Sequence, residues 1–170
     1  MVRPSFPFFF CCVLLAARAA IAAEPLFLID RSLNRNQVVY EANVTTHGWD
    51  EDDPIRVYWI LHEDEGRVEP LSGIEQSFAY GISVRKQTEQ ELRFVLKALP
   101  KKEITVLQQS PGKFIALTEI AGAQAVIKSI FIKTVGSGIF SSVRYIEVSG
   151  HSVSDEQIRV ERIVPKKSFG

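Results

Sequence analysis

The chain has 170 residues, 46% of them apolar, and sets 20 Lys and Arg against 20 Asp and Glu. A neutral chain with that apolar content has no electrostatic footprint for nucleic acid or an anionic membrane surface, and it is long enough to bury a core of its own. Both of its cysteines, Cys11 and Cys12, sit together near the N-terminus, so the rest of the chain has no thiol nucleophile, thiolate zinc site, iron–sulfur cluster or disulfide.

Residues 1–23 predict a secretory signal peptide. Arg3 supplies a positive start, Phe6 to Ala17 an apolar run, and Ala20-Ile21-Ala22 a small-residue cleavage site. The run is too short for a membrane span and is interrupted by Pro7 and closed by Arg18. Cys12 follows Phe9, Phe10 and Cys11, which does not fit a lipid-attachment site. Cleavage near Ala23 removes Arg3 and Arg18, leaving 18 basic against 20 acidic residues, a formal charge of −2. The expectation is an exported protein, periplasmic or extracellular, whose mature chain 24–170 is a single β domain without a transmembrane segment.

Period-2 alternation in stretches rich in Val, Ile, Phe and Tyr then predicts strands at 26–31, 37–44, 55–63, 81–86, 91–98, 103–109, 113–120, 124–134, 139–149 and 156–163. No long helical pattern separates them, so the fold class is all-β: an antiparallel β-sandwich or barrel of about 9–10 strands. Thr45 to Asp53 is the longest polar connection. Ser72 and Glu75 form an S-x-x-E capping box that opens one short helix near 73–80, with Ile74 and Phe78 on one face for packing on the sheet and Gly81 as a left-handed terminator. Ser110-Pro111-Gly112-Lys113 fits a type II turn; Glu65-Gly66, Gly122 and Gly136-Ser137-Gly138 break the other runs. The segments from Leu92 to Val148 read as an antiparallel meander, and Lys166 to Gly170 as a frayed tail.

Ile55 to His62 presents two distinct faces. Alternation puts Ile55, Val57, Trp59 and Leu61 on a core face, and Arg56, Tyr58, Ile60 and His62 on the other, where a cation, a phenol and an imidazole line either a ligand groove or a plain outer face on which Tyr58 and Arg56 cover neighbouring strands. The acidic run from Asp50 to Asp53 beside His47 lacks the spacing of a calcium loop, and His47, His62 and His151 lack zinc spacing. Gly150-His151-Ser152-Val153-Ser154 does not complete a nucleophile elbow, because no helix pattern follows it. Glu41, Glu63, Glu69 and Glu147 are conceivable members of a carboxylate pair, but only the fold can set their separation. Asn43-Val44-Thr45 matches a glycosylation sequon.

Arg31-Ser32 with Asn34 and Asn36, Val39-Tyr40, Asp53-Pro54-Ile55 running into Val57-Tyr58-Trp59-Ile60, Ala79-Tyr80-Gly81 and Val143 to Gly150 together resemble a family of small exported bacterial proteins described only as a domain of unknown function. The resemblance covers about Leu26 to Gly150. It implies a single extracytoplasmic domain, brings no activity, cofactor or substrate, and draws notice to Arg31, Asn34, Tyr40, Tyr58, Trp59 and Tyr80.

The functional expectation is a noncatalytic extracytoplasmic binding or interaction module, without cofactor or metal, that meets a small molecule, glycan or envelope protein through Arg31, Tyr40, Arg56, Tyr58, Trp59 and Tyr80. A glycan-directed hydrolase with a fold-assembled carboxylate pair and a structural envelope component are the alternatives.

Overall fold

A computed structural model describes residues 24–46, 48–136 and 142–165. The leader, His47, residues 137–141 (the Ser137-Gly138 turn and the first residues of the strand expected at 139–149) and the 166–170 tail lie outside the described residues. In chain order the elements are β1 (Phe27–Arg31), β2 (Gln37–Ala42), the two-residue strands β3 (Val44–Thr45) and β4 (Gly48–Trp49), β5 (Ile55–Leu61), a 3-10 turn (His62–Asp64), β6 (Arg67–Pro70) and helix α1 (Gly73–Phe78). There follow β7 (Ile82–Gln87), β8 (Glu91–Leu96), β9 (Leu99–Ser110), β10 (Lys113–Ile120), β11 (Ala123–Val135), β12 (Ser142–Ser152) and β13 (Ile158–Ile163).

The protein is mostly β, and eleven strands join in one large curled sheet that forms a half-barrel. From β7 to β13 each strand pairs antiparallel with the next, which extends the expected meander at both ends. The sheet as a whole is mixed rather than antiparallel, because β1 runs parallel to β11, with Ile29 opposite Ile130 and Arg31 opposite Ile132. Alternation within a strand says which face is buried and nothing about the direction of a partner far away in sequence. The long β11 makes this join possible. One of its edges takes β10 along Ala123–Val126 and β1 along Ser129–Ile132, while its other edge takes β12. Two wings therefore leave β11, one running β1-β2-β5-β6 and the other β10-β9-β8-β7.

A one-residue bulge between Ile127 and Ser129 keeps β11 in phase with the core. Ala125 and Ile127 are buried before it and Ile130 after it, a change of parity that an unbroken strand could not make without turning Ile130 to solvent. Opposite, β12 keeps one parity through Ile146, Val148, Gly150 and Ser152, all buried. Gly150 has no room for a side chain: a Cβ there would stand 2.3 Å from the Val126 carbonyl oxygen.

The concave faces of the two wings meet in one core. Phe27, Ile29, Val38 and Tyr40 come from the first wing, and Leu92, Phe94, Ile104 and Val106 from the second. Phe27 and Tyr40 are cross-strand partners with rings stacked at 4.5 Å, and Trp49 of the small β3–β4 hairpin meets Phe114 at 5.1 Å. That hairpin occupies part of the stretch expected to be plain loop, and its buried tryptophan explains why two residues suffice to hold it. Gly112 turns with φ +77°, as the type II turn requires. Ala121 and Gly122, with φ of +50° and +79°, form the doubly left-handed pair favoured in two-residue hairpins.

Helix α1 has the expected capping box: the Ser72 hydroxyl accepts from the Glu75 amide, and the Glu75 carboxylate accepts from the Ser72 amide. Its packing is the reverse of the expectation. Ile74 and Phe78 are 75% and 78% exposed, and the side chain turned into the protein is that of Glu75, which accepts a hydrogen bond from Trp59 Nε1 at 3.2 Å. The cap and the indole both need that carboxylate, and the opposite face of so short a helix is left in solvent. Gly81 is not left-handed either. It is needed for space, since a Cβ would fall 1.8 Å from the Gln76 carbonyl oxygen.

Candidate functional site

Strand β5 alternates as its sequence demands: Ile55 and Trp59 are buried, while Arg56 is exposed and Tyr58 half-buried. Pairing with β2 then sets Glu41 directly opposite Arg56 and Val39 opposite Tyr58. Residues two apart on paired strands share a face within reach of long side chains. The Tyr58 hydroxyl accordingly donates to Glu41 Oε1 at 2.6 Å, and Arg56 reaches Asn43 Oδ1 at 3.5 Å.

This face opens onto a cleft of ≈ 960 Å³. Its charged lining is Glu41, Asp52, Asp53, Arg56 and Lys97; Gln76 and Ser77 of α1 add an amide and a hydroxyl; Val57, Val68, Pro70, Leu71 and Ile82 supply apolar wall. The strands that contribute Val68 and Ile82, β6 and β7, are the two ends of the path of paired strands. The cleft thus sits at the seam where the half-barrel fails to close, and α1 crosses that seam.

Burial, followed by the hydrogen bond to Glu41, pushes the Tyr58 phenol up to about 12. The Asp53 carboxyl is also raised, by burial first and by Asp50 second, with Arg56 acting against them. Asp50 is committed to its own turn, where Oδ1 accepts the amides of Asp52 and Asp53 at 3.1 and 2.8 Å. The acidic run is therefore partly a turn device and partly cleft wall.

Of the six residues singled out by sequence, two face the cleft, three belong to the core, and Arg31 lies over one of those three. Arg56 and Tyr58 face the cleft. Tyr40, Trp59 and Tyr80 are 0%, 6% and 8% exposed and belong to the core. Tyr40 donates to the Tyr80 carbonyl oxygen at 2.6 Å, bonding the first wing to the segment that opens the second. Tyr80 meets Trp59 edge-on at 5.3 Å, and the Arg31 guanidinium lies 5.6 Å from the Trp59 ring centre. Burial raises the Tyr80 phenol while Arg31 opposes it, and burial followed by Tyr80 holds the Tyr40 phenol well above its usual value. Of the motif asparagines, Asn36 Oδ1 accepts the Glu63 amide at 3.3 Å, whereas Asn34 Oδ1 is buried without a partner among the described residues.

Glu41, Lys97, Gln76 and Ser77 enter the site only through the fold. The β2–β5 register brings Glu41 to Arg56, and the approach of the two ends of the strand path across the open seam brings the others. A second open cleft, of ≈ 1020 Å³, lies between β13 and the β9–β10 pair, where Lys102 and Glu161 already satisfy each other at 3.0 Å. None of the six singled-out residues lines it.

Over residues 27–162 the chain matches a family described as a domain of unknown function, DUF4833. The chain belongs to that family. No curated protein and no solved structure matches it. The DUF4833 match extends past Gly150, where the motif resemblance stops, to Arg162, so nearly all of β13 lies within the family region. Every residue of the Arg56/Tyr58 cleft lies within it too. Among the described residues no group of three or more His, Cys, Asp or Glu is placed to hold a metal ion. No helix among them is long and apolar enough to cross a membrane.

Proposed function

We propose that the protein is a noncatalytic extracytoplasmic binding module whose ligand, a small molecule or short glycan or peptide, sits in the Arg56/Tyr58 cleft. The observation that carries this reading is the position of those two side chains. They lie on the one exposed face of β5 that borders a concavity large enough for such a ligand, and they share it with charges of both signs and an apolar wall. A wall of that composition suits a neutral or zwitterionic polar ligand, with Arg56 and Lys97 for its acceptors, Glu41 and Asp53 for its donors, and Val68 and Pro70, which share the Tyr58 face, against its carbon skeleton.

A glycan-directed hydrolase is the second reading, and the raised Asp53 carboxyl is the observation in its favour. It needs a second carboxylate facing Asp53 across the ligand; of the other two in the cleft, Asp52 is its chain neighbour in the same turn and Glu41 has one oxygen on the Tyr58 hydroxyl. Binding is therefore preferred.

The test is amide chemical-shift perturbation with a panel of neutral mono- and oligosaccharides, amino acids and dipeptides. The binding reading expects shifts clustered on Glu41, Arg56, Tyr58 and Lys97, and an affinity weakened at least about tenfold in a folded Tyr58→Ala variant. Shifts that cluster elsewhere, or a Tyr58→Ala chain that does not fold, would remove the assignment. Turnover of any panel member that is lost in Asp53→Asn would replace it with the hydrolase.

A further inference from the structure

Among the described residues the half-barrel leaves three strands at its edges, and they are not equally protected. On β6, Pro70 has no N–H to offer, and Arg67 is drawn into ion pairs with Asp64 and Glu69. On β7, the ladder is broken by an irregularity between Val84 and Lys86, and Arg85, Lys86 and Gln87 are exposed. The third edge, β13, has charged side chains in ion pairs of its own, Arg159 with Asp155, Glu161 with Lys102 and Arg162 with Glu147, but neither of the backbone devices. It pairs with β12 in unbroken register from Ile158↔His151 to Ile163↔Ile146, contains no proline, and carries Ile158 at 71% and Val160 at 52% exposure.

The backbone alternation of this edge is fixed by its neighbours. The Ser152 amide donates to the Gln157 carbonyl on the β13 side, and the Val153 amide donates to the Gln124 carbonyl on the opposite side, both at 2.9 Å. Carrying that alternation along the antiparallel ladder turns the N–H and C=O of Arg159, Glu161 and Ile163 toward β12, and those of Ile158, Val160 and Arg162 outward. Among the described residues nothing bonds to these outward groups.

We propose that this edge pairs with the same edge of a second copy of the chain, antiparallel, with Val160 opposite Val160 of the other copy. Two independent conditions choose that register. Outward-facing residues must meet outward-facing residues, which admits Val160 on the dyad with Ile158 opposite Arg162 and forbids a one-residue slip. Charge must also match. In this register Arg159 stands opposite Glu161 of the other copy, twice over, in the positions where side chains approach most closely. The next permitted registers place Arg159 against Arg159 or Glu161 against Glu161. The side chains are available for the exchange. Glu161 accepts from the Ala121 amide and from Lys102 through Oε2 alone, which leaves Oε1, and Arg159 is held by Asp155 through one terminal nitrogen, which leaves the other. Pairing covers Val160 of both copies and leaves the Arg56/Tyr58 cleft, which β13 does not line, open.

Sedimentation equilibrium on the full chain tests this directly. The expected result is a weight-average mass that rises with concentration toward that of a dimer. Arg159→Glu alone and Glu161→Arg alone each place like charges in register and sediment as monomers, whereas an equimolar mixture of the two regains the dimer, since each then faces its opposite. Val160→Pro removes one outward N–H, keeps the β12–β13 hydrogen bonds, and is expected to be monomeric with an unchanged far-ultraviolet spectrum; it carries the test if either charge variant misfolds. A wild-type chain that stays monomeric at every concentration overturns the proposal. So does a dimer that Val160→Pro leaves intact, or two folded charge variants that fail to associate when mixed.

Discussion

At the scale of the residue, the account turns on Tyr58. Its phenol is half-buried, bonded to Glu41 and pushed up to about 12 from a usual value of 10.0. Because the folded state favours the neutral phenol, this contribution to stability is complete below about pH 10 and is lost as pH rises toward 12, where the unfolded chain ionises first. Tyr40 and Tyr80 are shifted in the same direction, so wild type loses stability over that range in any case. The expected outcome is that Tyr58→Phe shows a shallower fall in urea midpoint between pH 10 and 12 and an unchanged slope between pH 7 and 9. Identical slopes in both chains across the alkaline range would show that Tyr58 carries no such linkage. Arg56 and Tyr58 could be placed on an outward face from alternation alone. Their partner could not, because Glu41 reaches them through a strand register that depends on which strands pair.

At the scale of the element, α1 separates what local sequence specifies from what it does not. The S-x-x-E pattern gave the cap correctly, since both hydrogen bonds lie within four residues. The spacing of Ile74 and Phe78 pointed to the wrong buried face, because the choice is made by Trp59 from another strand, whose indole N–H needs an acceptor. Two outcomes follow in chemical denaturation. Glu75→Ala loses the reciprocal cap and leaves a tryptophan N–H unpaired, costing about 1–3 kcal/mol. Ile74→Ser and Phe78→Ser remove exposed side chains and stay within about 0.5 kcal/mol of wild type. A large loss from Phe78→Ser with none from Glu75→Ala would reverse the orientation given to the helix. The bulge in β11 is a similar case. Alternation locates the strand, but a change of parity within it is enforced by β12 and the core rather than by the residues at the bulge.

At the scale of the whole molecule, the strands and the all-β class were legible because alternating hydrophobicity is written into each segment. The parallel β1–β11 join, the two wings and the seam were not, because they are relations between distant segments. Those relations make the site. The first wing brings Glu41, Arg56 and Tyr58, the second brings Ile82 and Lys97, and the walls stay in place only if the wings move as one body. Three contacts oppose their separation: the parallel ladder between β1 and β11, the shared core, and the bond from Tyr40 to the Tyr80 carbonyl.

Amide hydrogen exchange of the native protein tests that unity most directly. The slowest amides in β1, β2 and β11 are expected to share one opening free energy with those in β8, β9 and β10, while β6 and the outward amides of β7 exchange faster. Two well-separated opening energies, one for each wing, would contradict it: the core would then be two cores, and the cleft between the wings would have no fixed walls.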